Sequence, residues 1–326
     1  MTPGTGPRGG GESLPYPRLL RVASWRWWRP LAGLLLAFVA GLTVLLSLGA
    51  VDAVLQAQLP GSVGLFDEVP PPTPAGLLSA NLLILALALP AVVAFTVAHT
   101  PELGRLCSVT GRPRLGLAAR CVPLAVLTVA LSIGVSILLS VAGVLPDEDL
   151  RLHLPSSGTL AGFAAVLLLT TPLQSAAEEV VFRGWLSQAL GSYGRSEYAG
   201  PLVAGVVTAT LFALAHLPDD PWLAANLACF GAVASWTAWR TGGLEGAIVL
   251  HAVNNVLAEA FAVGTGTLDE ALAASTLAWQ VALVDMAFLV GYAVLVERWA
   301  YGRERPARSG AATAAVNGLS PRPALR

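Results

Sequence analysis

The chain contains 19 basic residues and no lysine; every one is arginine. Charge of either sign is scarce, at 12% of residues where an ordinary soluble domain carries about a quarter. Hydrophobic residues make up 55%, and the mean hydropathy is +0.68. This balance excludes a soluble globular domain. A net charge of −1 gives no reason to expect nucleic acid as a partner. Cysteine is nearly absent: Cys107 and Cys121 fall in a predicted cytoplasmic loop and Cys229 in a helix, so none is placed for an outward-facing disulfide, and no CxxC metal motif exists. There is no internal repeat and no separate soluble domain. The missing lysine, with abundant Ala, Gly and Pro, points to a bacterium of high GC content and so to its cytoplasmic (plasma) membrane.

Long apolar runs are what the chain does have. At roughly 20 residues per span, eight helices are expected, at about Leu31 to Leu55, Leu77 to Ala98, Val122 to Val144, Leu160 to Leu186, Leu202 to Leu217, Trp222 to Trp239, Ala247 to Val263 and Leu277 to Val296. With the N-terminus inside, every arginine except Arg151 falls in a cytoplasmic segment, while Asp52, Asp67, Glu68, Asp147, Glu148, Asp149, Asp219, Asp220, Asp269 and Glu270 fall outside. The expected fold is therefore all-α, a polytopic transmembrane helix bundle with both termini cytoplasmic. The first apolar run exceeds a signal-peptide h-region, seven more spans follow it, and it reads as an anchor. Residues 19–300 form the expected bundle. The Pro/Gly-rich head, residues 1–18, and the tail, residues 301–326, are expected to be disordered.

Three short motifs place ionisable side chains near or inside these runs, where such groups are costly and therefore candidates for function. They are Glu178-Glu179-x-x-x-Arg183, Phe212-x-x-x-His216 and His251-x-x-x-Asn255. Glu179 and Arg183, four apart, share a helix face and can pair; Glu178 lies about 100° round the helix and is free to face a cavity. The spacing suggests that Glu179 and Arg183 fix the helix while Glu178 does chemistry, although a plain interfacial salt bridge fits the pair as well. His251 and Asn255 also share a face, which Glu259 continues. His216, just before Pro218, could equally cap its helix. Pro172, after Thr170 and Thr171, predicts a kink. Asp285, mid-span, requires a polar partner. Asn254 is expected to serve helix packing, and His99 and His153 to lie solvated at membrane borders.

Glu178 to Leu186, followed in order by Phe212 to His216 and His251 to Asn255, resembles the CPBP family of intramembrane proteases, the type II CAAX prenyl endopeptidase and bacteriocin-processing (Abi-like) group, over about residues 160–263. The resemblance implies a membrane hydrolase with a chamber opening toward the cytoplasm. It makes Glu178 the general base and His216 its partner in activating water, with His251 and Asn255 polarising the scissile carbonyl and holding the oxyanion. Glu178, His216 and His251 also suit a Zn2+ site with an open position for water, and a metal-free glutamate–histidine mechanism uses the same residues. The substrate would be a membrane protein or peptide. Two other classes fit the composition: an ion- or proton-coupled transporter using Glu178, Glu259, His216, His251 and Asp285, and a noncatalytic scaffold. The transporter predicts paired inverted repeats, which the sequence does not show.

Overall fold

A computed structural model describes residues 14–21, 25–59, 61, 64–66, 71–99, 103–145, 151–194 and 196–300. Eight main helices fall where the eight apolar runs lie: α1 (Arg29–Gln58), α2 (Pro74–His99), α3 (Leu115–Val141), α4 (Ser157–Gly191), α5 (Ala199–Ala215), α6 (Pro221–Thr241), α7 (Glu245–Thr265) and α8 (Trp279–Trp299). Six are long and apolar enough to cross a membrane. Of the other two, α5 is apolar but has only 17 residues, and α6 has 21 but is less hydrophobic. The chain is a multi-pass membrane protein whose named elements, among the described residues, are all helices, with an isolated β-bridge between Ser108 and Gly243.

Local chemistry sets the helix ends. Thr73 Oγ1 accepts the Gly76 N–H at 3.1 Å at the start of α2, where Pro74 supplies a preset φ. Asp220 caps α6 by accepting the N–H groups of Trp222 at 2.7 Å and Leu223 at 3.2 Å, with Pro221 in the first turn. Helices α6 and α7 stop at Gly242 and Gly266, both in the left-handed conformation with φ 75°. The expected kink in α4 is present: the helix breaks at Thr170, and Pro172 lies in the first turn of the segment that resumes at Thr171. A second irregularity, a π-helical stretch over Val180–Leu186, follows directly after the glutamate pair.

One end of the bundle is tied together by arginines. Arg21 donates to the carbonyls of Ser192 at 2.9 Å and Gly194 at 3.0 Å, Arg114 grips Glu245 through both carboxylate oxygens, and Arg240 pairs with Glu297. The N-terminal segment, the α2–α3 and α6–α7 connections and the end of α8 therefore meet there. The opposite end is joined by the His153 N–H to Gly264 and the Leu277 N–H to Asp220. By the positive-inside rule the arginine end is cytoplasmic. Arg183 leaves that count, because it is fully buried within α4.

The head boundary shifts. Residues 14–18 are packed, with Tyr16 fully buried and its hydroxyl donating to the Leu106 carbonyl, because Leu14, Tyr16 and Leu19 complete an apolar cluster with Val109, Ala238 and Leu244. Residues 1–13 and the tail, 301–326, lie outside the described residues. Cys121 is in α3 and buried, not in a loop. His153 is exposed as expected, but His99 is buried at the end of α2 against Phe95.

Candidate active site

The α4 helix carries both glutamates into the bundle. Glu179 and Arg183 have no exposed side-chain surface, and Arg183 Nη1 donates to Glu179 Oε1 at 2.9 Å. The guanidinium lies over the Phe212 ring, 4.4 Å from its centroid, and near that of Phe182 at 5.7 Å. Room for it exists because α6 presents Gly231, where a Cβ would stand 3.0 Å from Arg183 Nη2 and 2.7 Å from Ala209 Cα. The expected pair is therefore real, but it is a buried pair and not an interfacial one.

Glu179 has a second partner. The same Oε1 meets His251 Nδ1 at 2.9 Å, which places the imidazole proton on Nδ1 and turns Nε2 outward. There Nε2 faces Glu178 Oε2 across 3.8 Å, too far for a hydrogen bond and short enough for one water to bridge. Glu178 Oε1 accepts from Gln174 Nε2, one turn earlier on α4. Gln174 Oε1 in turn receives the Asn255 amide at 3.4 Å, and Ser175 Oγ lies at the same distance from it. Two helices, α4 and α7, thus hold a chain of contacts from Arg183 through Glu179 and His251 to Glu178.

His216 enters from α5. That helix ends at an exposed turn: His216 is its C-cap, and Leu217 adopts φ 50°, a conformation uncommon for a non-glycine residue. His216 Nδ1 is 2.8 Å from the Phe212 carbonyl, so this ring also points Nε2 away from its own helix. Its centroid is 4.5 Å from that of Phe212, and Phe212 stands edge-on to His251 at 5.8 Å. Glu178, His216, His251 and Asn255 all line one cavity of about 320 Å³. Helix counting places His216 toward the far end of its span, and at that end it lines the cavity that holds the other three.

Zn2+ requires protein donors aimed at one point. Among the described residues no three His, Cys, Asp or Glu side chains stand close enough to hold an ion. Among the described residues the expected trio of Glu178, His216 and His251 shares a cavity without sharing a coordination point.

Other residues at the site were not singled out by their motifs. Gln174 is one; its signal is its position four residues before Glu178, the same face rule that pairs Glu179 with Arg183. Asn254 lines the cavity and donates to Asn255 Oδ1 at 3.4 Å, correcting the expectation of a pure packing role. Asp285 finds its polar partners in Ser132 and Asn226 on the same cavity wall. Glu259 does not line it and instead accepts from Thr171 Oγ1 at 3.1 Å.

Leu217, next to His216, is exposed at the end of the bundle opposite the arginines. With the arginine end cytoplasmic, impermeant maleimide added to intact cells is expected to label Leu217→Cys, at the opposite end of the bundle, and to spare Leu115→Cys at the arginine end. Native Cys107 is a poor reporter because burial, and then Glu245, push its thiol up. The reverse labelling would place the arginine end outside the cell.

Comparison with known proteins converges on the same segment. The chain shows 31% identity over 98 residues to the uncharacterized protein YyaK of Bacillus subtilis; the match covers 28% of this chain and 31% of that relative. The chain therefore spans about a third of the curated relative it matches. No solved structure matches it. Residues 160–257, which carry all three motifs and every member of the Arg183–Glu179–His251–Glu178 chain, match the family described as type II CAAX prenyl endopeptidase Rce1-like.

Proposed function

We propose that the protein is an intramembrane endopeptidase that hydrolyses a membrane-associated protein or peptide with a water activated by glutamate and histidine. The observation that carries this reading is the convergence of Glu178, His216, His251 and Asn255 on one cavity, with Glu178 Oε2 and His251 Nε2 separated by 3.8 Å. Amide hydrolysis needs a base for water and donors for the developing oxyanion. In this mechanism Glu178 takes a proton from water while His216 Nε2 accepts the second hydrogen bond and fixes the water's orientation. The water oxygen bonds to the carbonyl carbon, and the former carbonyl oxygen becomes an oxyanion held by Asn255 Nδ2–H and by His251 when Nε2 carries a proton. Glu179, on Nδ1 of the same ring, offsets its positive charge. Collapse breaks the C–N bond, and Glu178 returns its proton to the leaving amine. The match to the Rce1-like family over residues 160–257 supports the same class of reaction.

Purified protein in detergent, assayed on a quenched peptide library with and without chelator, tests the proposal. Cleavage is expected in the absence of added metal. Loss of cleavage on chelation, restored by Zn2+, would replace the direct mechanism with a metal-dependent one. Ion transport by reconstituted protein, with no peptide cleaved, would overturn the protease reading in favour of a transporter.

A further inference from the structure

The mechanism above leaves one charged group in the cavity unused. Asp285, on α8, lies in the membrane-spanning part of the bundle. Ser132 Oγ, from α3, donates to its Oδ1, and Asn226 Nδ2, from α6, lies 3.5 Å from Oδ2. One donor on each oxygen suits an ionised carboxylate, which only accepts. Among the described residues no arginine or histidine forms an ion pair with it. With its amide nitrogen turned to Asp285, Asn226 leaves its Oδ1 buried and without a hydrogen-bond partner. Three helices thus assemble two acceptors and no cation on one wall of a cavity whose lining also includes Glu178 and His251.

An anionic group in this setting is stabilised when a cation with several N–H donors reaches it. We infer that Asp285, Asn226 and Ser132 form a substrate subsite for a cationic group, an arginine or lysine side chain or a peptide N-terminal ammonium, close to the scissile bond. This assignment rests on the endopeptidase reading for its meaning, but binding can be measured without turnover. Ser132 is a positioning residue in this scheme, since it orients the carboxylate, while Asp285 and Asn226 touch the ligand.

The test uses purified Glu178→Gln protein and fluorescent Ala/Leu peptides through which a single arginine is walked, each matched to a peptide with citrulline at the same position. At one position the arginine peptide is expected to bind about tenfold more tightly, and Asp285→Asn, which keeps the size and one acceptor, is expected to bring the ratio to about one. If Asp285→Asn does not fold, Asn226→Ala decides, with an expected fall of about threefold in the ratio. Equal binding of both peptide series, absence of binding by either, or a preference that survives these substitutions would overturn the subsite. Failure of the wild-type protein to cleave any peptide, with the arginine preference intact, would instead overturn the protease reading and leave the subsite standing.

Discussion

Glu178→Gln is expected to lower peptide cleavage by about 10²- to 10⁴-fold while leaving the melting temperature in detergent unchanged. The substitution keeps the side chain's length, so an amide oxygen can still receive the Gln174 Nε2 donor that holds Glu178. What it removes is the carboxylate's capacity to take a proton. Oε2 has no hydrogen-bond partner in the protein and faces His251 Nε2, so no structural contact is lost there. Single-turnover rates on a cleaved peptide, measured beside thermal unfolding, check both halves of this expectation. Activity within tenfold of wild type would move the base to another residue.

The largest stability effect is expected at the neighbouring glutamate. Glu179→Ala should destabilise the protein by about 3–5 kcal/mol, the range for removing one partner of a buried ion pair, and should also abolish cleavage. Arg183 would remain in a site with no solvent exposure, and its Nε and Nη2 already lack hydrogen-bond partners. The faces of Phe212 and Phe182 and the Glu178 carboxylate would then be left to compensate the guanidinium, and the aromatic contacts recover about 2 kcal/mol or less. His251 would lose the acceptor on Nδ1 that orients it. Glu179→Gln should be intermediate, since it can still accept from His251 but cannot neutralise Arg183. Thermal unfolding of the three proteins in one detergent gives the order. If Glu179→Ala melts like wild type, the division of labour between the two glutamates is wrong.

That division was partly legible in the sequence. Four-residue spacing put Glu179 with Arg183 and His251 with Asn255, and the 100° offset of Glu178 turned it toward a cavity, because a helix fixes the angular relation of its own side chains. The same rule could have found Gln174. It could not show that Glu179 holds His251, 72 residues away. Nor could it find Ser132 as the partner of Asp285, 153 residues away. Contacts between helices depend on their mutual rotation and depth, which periodicity along one helix does not encode. His216 shows this most clearly. Its place depends on a helix of 17 residues that stops at Ala215 with His216 as its cap and on the close α5–α6 approach at Gly231 and Ala209.

By itself, the sequence determined the number and place of the helices, through apolar runs long enough to need lipid and through end signals such as Asp220, Gly242 and Gly266. It also determined the end of the bundle that gathers arginine. Only the tertiary structure decided which carboxylate meets which imidazole, and that Asn226 and Asp285 share the cavity with them. The reason is that length, hydropathy and charge act along a segment and are written locally. The meeting of side chains is set by how residues far apart in the chain pack around small ones such as Gly231, where a single added Cβ would collide with the neighbouring helix.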